Sequence, residues 1–369
     1  MIIVLLFLIG NSFNKEISIP IFSNVNEIDC MALITLGNPG YRHFLNIDMK
    51  NKYAIVEQFD LSYKILSTYF INDNGMKCRD ILDFKVFTIQ YKFMLVRRLS
   101  DSFYDHSRYN EVATLLLSRS NNNVLYQLKE QNKIKEMKFK VKGENSIIID
   151  GKENENDCYA FLELQRDELM WKTFISDIKI GPYFTFTFYM RYLVFDINED
   201  DIIVPYEQLQ YFKDDYFKLT EYDVVQQGDL YTIEINKNNI HLYKNFSMIL
   251  DKRIQINFDA KEMFITETFY SNEKSIFRIK FKDNVDQWII GGKIIKQFNM
   301  IFDDDNNRVG FDLKAGNITE LNNPNNRFCS KMIKQSQLSS RLLQIYILSI
   351  AVLSIGICPI LLYNSYTSK

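Results

Sequence analysis

Apolar and polar residues alternate along much of this chain, which is the pattern of half-buried β-strands. The alternation is clear in residues 137–141 (MKFKV) and 184–188 (FTFTF). Short apolar runs at residues 32–36, 44–47 and 53–56 are separated by turn-forming Gly, Asn, Asp and Pro. These segments predict strands joined by tight turns.

Helical spacing is found in two short segments only. The first surrounds Val124, Leu125 and Leu128 and follows a run of asparagines that can cap a helix. The second covers residues 206–212 and follows Pro205, which suits a first helical turn. Both helices are therefore predicted to be short and peripheral, and the class is mainly β.

Composition supports this class and excludes several functions. The chain has 369 residues with 29 Phe and 22 Tyr, an enrichment that favours strands. The net charge of -2 argues against a nucleic-acid surface. The histidines, His43, His106 and His241, are far apart in the sequence, which argues against a zinc site or a histidine-based triad. We expect no metal site and no cofactor.

The N-terminal residues predict a secretory signal. An apolar run at residues 2–10 is followed by polar residues, so residues 1–14 are interpreted as a signal peptide. Because no positively charged residues precede the run, a buried first strand is the alternative.

A second apolar segment near the C-terminus predicts a membrane span. Residues 342–363 contain Gln344 as the one strongly polar side chain and match the length of roughly 20 residues that crosses a bilayer. Residues 329–341 form a linker and residues 364–369 a short tail. Signal and span together predict a single-pass type I protein with a lumenal or extracellular body, in the secretory or endolysosomal pathway. A lipid-anchor signal is the alternative, which the polar tail disfavours.

The predicted body carries features of an oxidising compartment. Cys30, Cys78, Cys158 and Cys329 allow one or two disulfides, with three possible connectivities for two bonds. Two sequons, starting at Asn245 and Asn317, are compatible with glycosylation.

The C-terminal part of the body carries a specific sequence block. Residues 289–292 (IIGG), 298–303 (FNMIFD) and 306–311 (NNRVGF) predict a strand, a short helix and a hairpin with an Asn-Asn turn. This block resembles the pepsin-like eukaryotic aspartyl peptidases. Residues 124–134 and 171–180 are similar to further segments of that family, in the same order.

The resemblance implies a bilobal pepsin-like acid protease fold, with an N-terminal lobe at residues 15–180 and a C-terminal lobe at 181–328. It places the first catalytic aspartate at Asp48, after the hairpin at residues 32–47, and the second at Asp196, before residues 202–205 (IIVP). Asp259 is a rival for the second position, but too few residues separate it from Ile290 to build the rest of a lobe.

A third site residue follows from residues 87–91 (FTIQY), which resemble the strand that enters the family's flap. Tyr91 then corresponds to the flap tyrosine that closes over a bound polypeptide. The glycines of the flap are replaced by residues 92–96 (KFMLV), which predict a bulky tip at Phe93 and Met94.

Both aspartates lack the partners that the family places after them. The bracing Thr or Ser positions hold Met49 and Ile197, and the glycine positions hold Lys50 and Asn198. Asn198 tolerates a left-handed backbone, whereas Lys50 adds a positive charge beside the aspartates.

Two functions follow from the resemblance. One is a membrane-anchored aspartic endopeptidase that hydrolyses peptide bonds at acid pH through a water activated by Asp48 and Asp196. The other is a catalytically impaired pseudopeptidase that binds a protein or peptide through the retained cleft. The expected partner is a polypeptide substrate or protein ligand, and the protein is expected to be a monomer.

Overall fold

A computed structural model describes the main body of the chain. The described residues are 17–23, 30–36, 41–52, 54–58, 67–72, 75–84, 88–97, 113–143, 146–150, 158–166, 169–181, 184–199, 201–218, 220–266, 274–315 and 317–321. The chain divides into two compact units, Met1–Leu321 and Asn322–Lys369, and the second lies outside the described residues.

Strands dominate the described part of the chain, which confirms the mainly β class. In chain order they are β1 (Ile17–Ser23), β2 (Cys30–Leu36), β3 (Tyr41–Asp48), β4 (Ile55–Gln58), β5 (Ser67–Asn72), β6 (Gly75–Asp83), β7 (Thr88–Arg97), β8 (Ala113–Leu116), β9 (Lys138–Lys142), β10 (Ser146–Ile149), β11 (Tyr159–Glu163), β12 (Lys172–Ile180), β13 (Phe184–Phe195), β14 (Ile202–Pro205), β15 (Tyr222–Gln227), β16 (Leu230–Asn236), β17 (Phe246–Leu250), β18 (Ile254–Phe258), β19 (Phe264–Thr266), β20 (Lys274–Phe277), β21 (Ile279–Lys282), β22 (Trp288–Ile290), β23 (Ile301–Asp303), β24 (Arg308–Asp312) and β25 (Ile318–Glu320).

The helices are short, as the sequence predicts. They are α1 (Val124–Glu130), α2 (Leu209–Asp215) and α3 (Gly292–Gln297), with 3₁₀ turns at Tyr206–Gln208, Lys237–Leu242, Ala260–Met263 and Leu313–Ala315. Asn123 caps α1, because its side chain accepts a hydrogen bond from the Tyr126 backbone N–H. The turn before β24 contains Asn307 at a φ of 53°, which confirms the Asn-Asn hairpin.

The strands form two large sheets. The first has 13 strands in the order β11-β24-β23-β9-β10-β1-β2-β3-β8-β4-β7-β6-β5. The second has 12 strands in the order β19-β20-β16-β21-β14-β22-β13-β12-β17-β18-β25, with β15 paired to β16. Strands β23 and β24, near the C-terminus, thus belong to the first sheet, and β12, which ends at residue 180, already belongs to the second. The division of the strands between the two sheets therefore does not follow the predicted lobe boundary after residue 180.

The same arrangement of four strands occurs once in each sheet. In the first sheet, β3 pairs in parallel with β8, β4 in parallel with β7, and β4 antiparallel to β8. In the second sheet, β13, β22, β14 and β21 repeat these three pairings in the same order and directions. A short helix follows in both cases, α1 after β8 and α3 after β22. The two sheets therefore share one arrangement of four strands and a following helix.

Aromatic side chains fill the core between the elements that carry the repeat. Phe139 stacks on Phe302 with ring centroids 4.6 Å apart, and Trp171 meets both rings edge-on. Phe195, at the end of β13, contacts Phe302 at 6.1 Å. Strand β23 is therefore packed against β9 and β13 through Phe302.

Several predicted features fall outside the described residues: the signal peptide at residues 1–14, Cys329, and the span at residues 342–363. Within the described residues, no helix is long and apolar enough to cross a membrane. Cys158 is buried and takes part in a disulfide bond.

Candidate functional site

Asp48 is the last residue of β3, and the residue as a whole is 7% exposed. Its Oδ1 accepts hydrogen bonds from the backbone N–H groups of Lys50 and Asn51, each at 2.9 Å. Its Oδ2 accepts one from Asn51 Nδ2 at 2.7 Å. The backbone is held as well, because Leu117 N–H donates to the Asp48 carbonyl at 2.7 Å. Three N–H donors therefore fix the first carboxylate.

Asp196 directly follows β13 and occupies the equivalent position in the second sheet. Its carboxylate is 1% exposed, and its Oδ1 accepts from Asn198 N–H at 3.2 Å. Its own N–H donates to the Ile290 carbonyl of β22 at 3.0 Å. The ammonium of Lys50 forms an ion pair with Asp196 Oδ2. The positive charge of Lys50 thus lies against the second aspartate.

The two aspartate loops are joined directly. Asn198 Nδ2 donates to the Ile47 carbonyl, the residue before Asp48. Met49 and Ile197 are buried apolar residues, so the brace expected from Thr or Ser comes from Asn198 instead. Asn198 does not have a positive φ, so its side-chain amide, and not a left-handed backbone, explains how it suits this loop.

Two site residues were missed in the sequence, and both stand three positions after an aspartate. Asn51 donates to Asp48, whereas Glu199 brings a further carboxylate, which lies 3.9 Å from Lys50 Nζ. The ionised carboxylate of Glu199 cannot donate a hydrogen bond to Asp196 as Asn51 donates to Asp48. At Asp196 the side-chain donor is the ammonium of Lys50. The signal that would have revealed these residues is a short polar side chain at the same offset from each aspartate.

The start of α3 holds the second loop in place. The N–H of Gly291 donates to the Asp201 carbonyl at 2.8 Å, and the N–H of Gly292 to the Glu199 carbonyl at 2.5 Å. A Cβ atom at either glycine would overlap the backbone carbonyls of this loop. The buried Asp201 carboxylate is anchored by Arg278 Nε at 2.9 Å.

Tyr91 lies in the middle of β7 with its ring buried. Its hydroxyl donates to the Thr114 carbonyl and accepts from Leu116 N–H, both at 3.3 Å. Burial raises the pKa of the phenol, and the nearby Asp48 carboxylate adds to the rise. The flap role of Tyr91 stays a prediction.

The segment after Tyr91 differs from the prediction of a flap tip at Phe93 and Met94. Both residues lie within β7, which runs unbroken to Arg97 and pairs with β6 and β4. Gln127 of α1 and Gln131, which directly follows α1, also hold β7. Their side chains exchange hydrogen bonds with the main chain on either side of Tyr91. Backbone pairing on both edges explains why the residues run straight on instead of turning.

The arrangement can hold two carboxylates on loops that touch, with a lysine ammonium against one of them. Among the described residues, no group of three or more His, Cys, Asp or Glu could hold a metal ion.

Comparison with known families agrees with this architecture. A sequence profile described as "Asp: Eukaryotic aspartyl protease" matches residues 211–314. Asp48 and Asp196 both precede the matched region. No curated protein matches the chain. The resemblance first seen in the C-terminal block is thereby confirmed, because residues 211–314, which contain that block, match the eukaryotic aspartyl protease family.

Proposed function

We propose that this protein is a bilobal pepsin-like family member that binds polypeptide in the cleft containing Asp48 and Asp196 and is impaired in hydrolysis. The observation that carries the proposal is the ion pair of Lys50 with Asp196. The matched family profile is that of a protease, so we infer that the ligand is a polypeptide.

The physical reason lies in how an aspartic dyad works. Two adjacent carboxylates share one proton and hold a water, which one carboxylate deprotonates while the other protonates the substrate carbonyl. An ammonium against one carboxylate favours the ionised form and occupies a lone pair that the water or the shared proton needs. Lys50 therefore opposes the protonation state that hydrolysis requires.

Acid endopeptidase activity is the second candidate. Both aspartates are buried at equivalent places in the repeat, and Asp48 keeps its full set of donors. The Lys50 side chain is 39% exposed, so it has room to swing away when a polypeptide binds.

Acid proteolysis of an unfolded protein separates the two candidates. The wild-type chain should cleave little or not at all. The combined variant Met49→Thr, Lys50→Gly, Ile197→Thr and Asn198→Gly restores the family residues, and its cleavage rate should rise by at least about tenfold, a barrier change of about 1.4 kcal/mol. The same combined variant with Asp196→Asn is the matched control and should be inactive.

A pepstatin-type inhibitor gives a second readout for the same proteins. It should block cleavage by the restored variant. Wild-type cleavage that is inhibited in this way, and that is lost in Asp48→Asn and in Asp196→Asn, would establish the endopeptidase and reject the impaired form.

We also propose that residues 342–363 anchor the body to a membrane as a type I span. Carbonate extraction should leave the full chain in the membrane fraction and release a chain that ends at residue 341. Release of the intact full chain would rule out the span.

Glycosylation tests the orientation of the body. Asn245 and Asn317 are both exposed in the fold, and we propose that they carry glycans in the lumen. Endoglycosidase treatment should increase gel mobility of the wild type, and less so of Asn245→Gln or Asn317→Gln. No shift in any of the three would argue against a lumenal body.

A further inference from the structure

Strand β15 forms an unprotected edge of the second sheet. It pairs with β16 in the register Tyr222 with Ile235 through Gln227 with Leu230. The other side of β16 is occupied by β20 and β21. Within the described part of the chain, β15 pairs with β16 on one side, and no strand pairs with β15 on its other side. Four of its six residues are exposed.

The hairpin geometry defines which backbone groups face outward. Gly228 and Asp229 form a two-residue turn, so the flanking Gln227 and Leu230 are a hydrogen-bonded pair. Hydrogen-bonded pairs then alternate along the ladder. The N–H and C=O groups of Tyr222, Val224 and Gln226 consequently point away from β16.

The side chains of the same residues lie on the face that continues into the core. Val224 is 37% exposed, although it stands opposite the fully buried Ile233. Tyr222 stands opposite the buried Ile235 and packs on Phe217 at 5.5 Å. The apolar core thus reaches the edge of the sheet at Val224 without being covered there.

The opposite face of β15 carries an excess of negative charge. Asp223 stands directly across from Glu234. Lys274 holds both carboxylates, at 2.7 Å from Asp223 and 3.2 Å from Glu234. Two acidic groups share one ammonium, so this face favours an additional cation beside Asp223.

The sequence of β15 lacks the devices that normally protect an edge. It contains no Pro, Gly or Lys, Asp223 is its one charged residue, and Tyr222, Val224 and Val225 favour the extended conformation.

We propose that the edge of β15 is a docking site for an extended segment of a partner polypeptide, which adds to the sheet as one more strand. The partner places a β-branched side chain beside Val224 and a basic side chain beside Asp223. A second copy of β15 does not offer this match, because β15 contains no basic residue. The site does not involve the loops of Asp48 and Asp196 and is independent of their activity.

Binding of short labelled peptides to the full-length chain tests the site by fluorescence anisotropy. The probe peptide alternates lysine and valine, and the control peptide alternates glutamate and valine. Val224→Pro removes an outward N–H at an edge position that tolerates proline, whereas the matched Val224→Thr keeps the N–H and the β-branched shape. Wild type and Val224→Thr should bind the lysine peptide equally, and Val224→Pro should bind it at least about tenfold more weakly.

Charge reversal provides a test that does not depend on proline being accommodated. Asp223→Lys should reverse the preference, so that the glutamate peptide binds more tightly than the lysine peptide. The proposal is overturned if wild type binds neither peptide, if folded Val224→Pro binds as wild type does, or if Asp223→Lys leaves the preference unchanged. A wild-type dimer that Val224→Pro converts to monomer would assign the edge to a second copy instead.

Discussion

Individual side chains, rather than the strand pattern around them, determine the chemistry of this site. Asn198 is the clearest case, since one amide group takes over the bracing that Met49 and Ile197 cannot provide. The replacement lies at the neighbouring position of the loop, which shows that the brace depends on where a donor reaches and not on a fixed residue type.

Removal of this brace should be measurable. Asn198→Ala deletes the hydrogen bond to the Ile47 carbonyl and should lower the free energy of unfolding by about 1 kcal/mol. Urea unfolding of the full-length chain gives the value, with the exposed Asn238→Ala as the matched control. Equal unfolding curves for the two variants would mean that the loops do not depend on Asn198.

Tyr91 gives the chain a predictable pH dependence. Burial raises the pKa of its phenol above the ordinary value of 10.0. The unfolded chain therefore loses the proton first, and the stabilisation that is complete below pH 10 falls as pH rises toward the folded pKa. The expected loss is roughly 1.4 kcal/mol per pH unit for this one group.

Urea unfolding at several pH values above 10 tests this expectation, because it gives the slope of the free energy of unfolding against pH. Tyr91→Phe should show a shallower slope than the wild type, whereas the exposed Tyr211→Phe should keep the wild-type slope. A slope unchanged by Tyr91→Phe would contradict a buried, protonated phenol.

At the scale of elements, the contact between α3 and the second aspartate loop requires two glycines. Gly291 and Gly292 bring the helix N-terminus onto the carbonyls of Ile197, Glu199 and Asp201. Neither glycine has a positive φ, so the requirement is the absence of a Cβ atom and not an unusual backbone conformation.

Alanine at these positions should therefore act through overlap. Gly291→Ala or Gly292→Ala should lower the free energy of unfolding by about 3 kcal/mol or more, because backbone carbonyls have to move. Gly143→Ala is the comparison: its φ of +56° is strained, but the space around it is open, so about 1 kcal/mol is expected. Similar losses for the three variants would show that the close approach is not what matters.

At the scale of the whole molecule, distant parts of the chain depend on each other. Arg119, which follows β8, donates to Asp304 at 3.0 Å, to Asn307 at 2.5 Å and to the Gln165 carbonyl at 2.6 Å. Asp304 and Asn307 lie in the turn between β23 and β24, which complete the first sheet. The first sheet therefore forms fully only when the C-terminal strands are present.

Variants of two arginines allow a buried ion pair to be compared with an ion pair on the surface. Arg119→Met should cost about 3 kcal/mol, because its side chain is 10% exposed and its loss leaves Asp304 without its cation. Arg253→Met should change stability by at most about 0.5 kcal/mol, because its side chain is 52% exposed and its carboxylate partners lie at 3.7 and 4.0 Å. Thermal unfolding of both variants checks the difference, and equal shifts would argue against the link.

Local sequence patterns were sufficient to predict several strands, a helix and a turn of this protein. Alternation placed the strands β9 and β13, the asparagine run placed α1 with Asn123 as its cap, and the Asn-Asn turn placed the last hairpin. These features depend on hydrophobic periodicity and on the backbone preferences of neighbouring residues, which can be read from the sequence directly. Asp48 and Asp196 were placed instead by the resemblance to the aspartyl peptidase family.

The contacts of those two aspartates could not be predicted from local sequence and are set by the three-dimensional fold. Asn198 and Ile47 are 151 positions apart, and the ion pair of Lys50 with Asp196 likewise spans most of the two repeats. The burial of Tyr91 and the entry of β23 and β24 into the first sheet arise in the same way. Such contacts depend on which distant strands lie side by side and on the position that the end of a long side chain reaches in the fold. A local sequence pattern specifies neither.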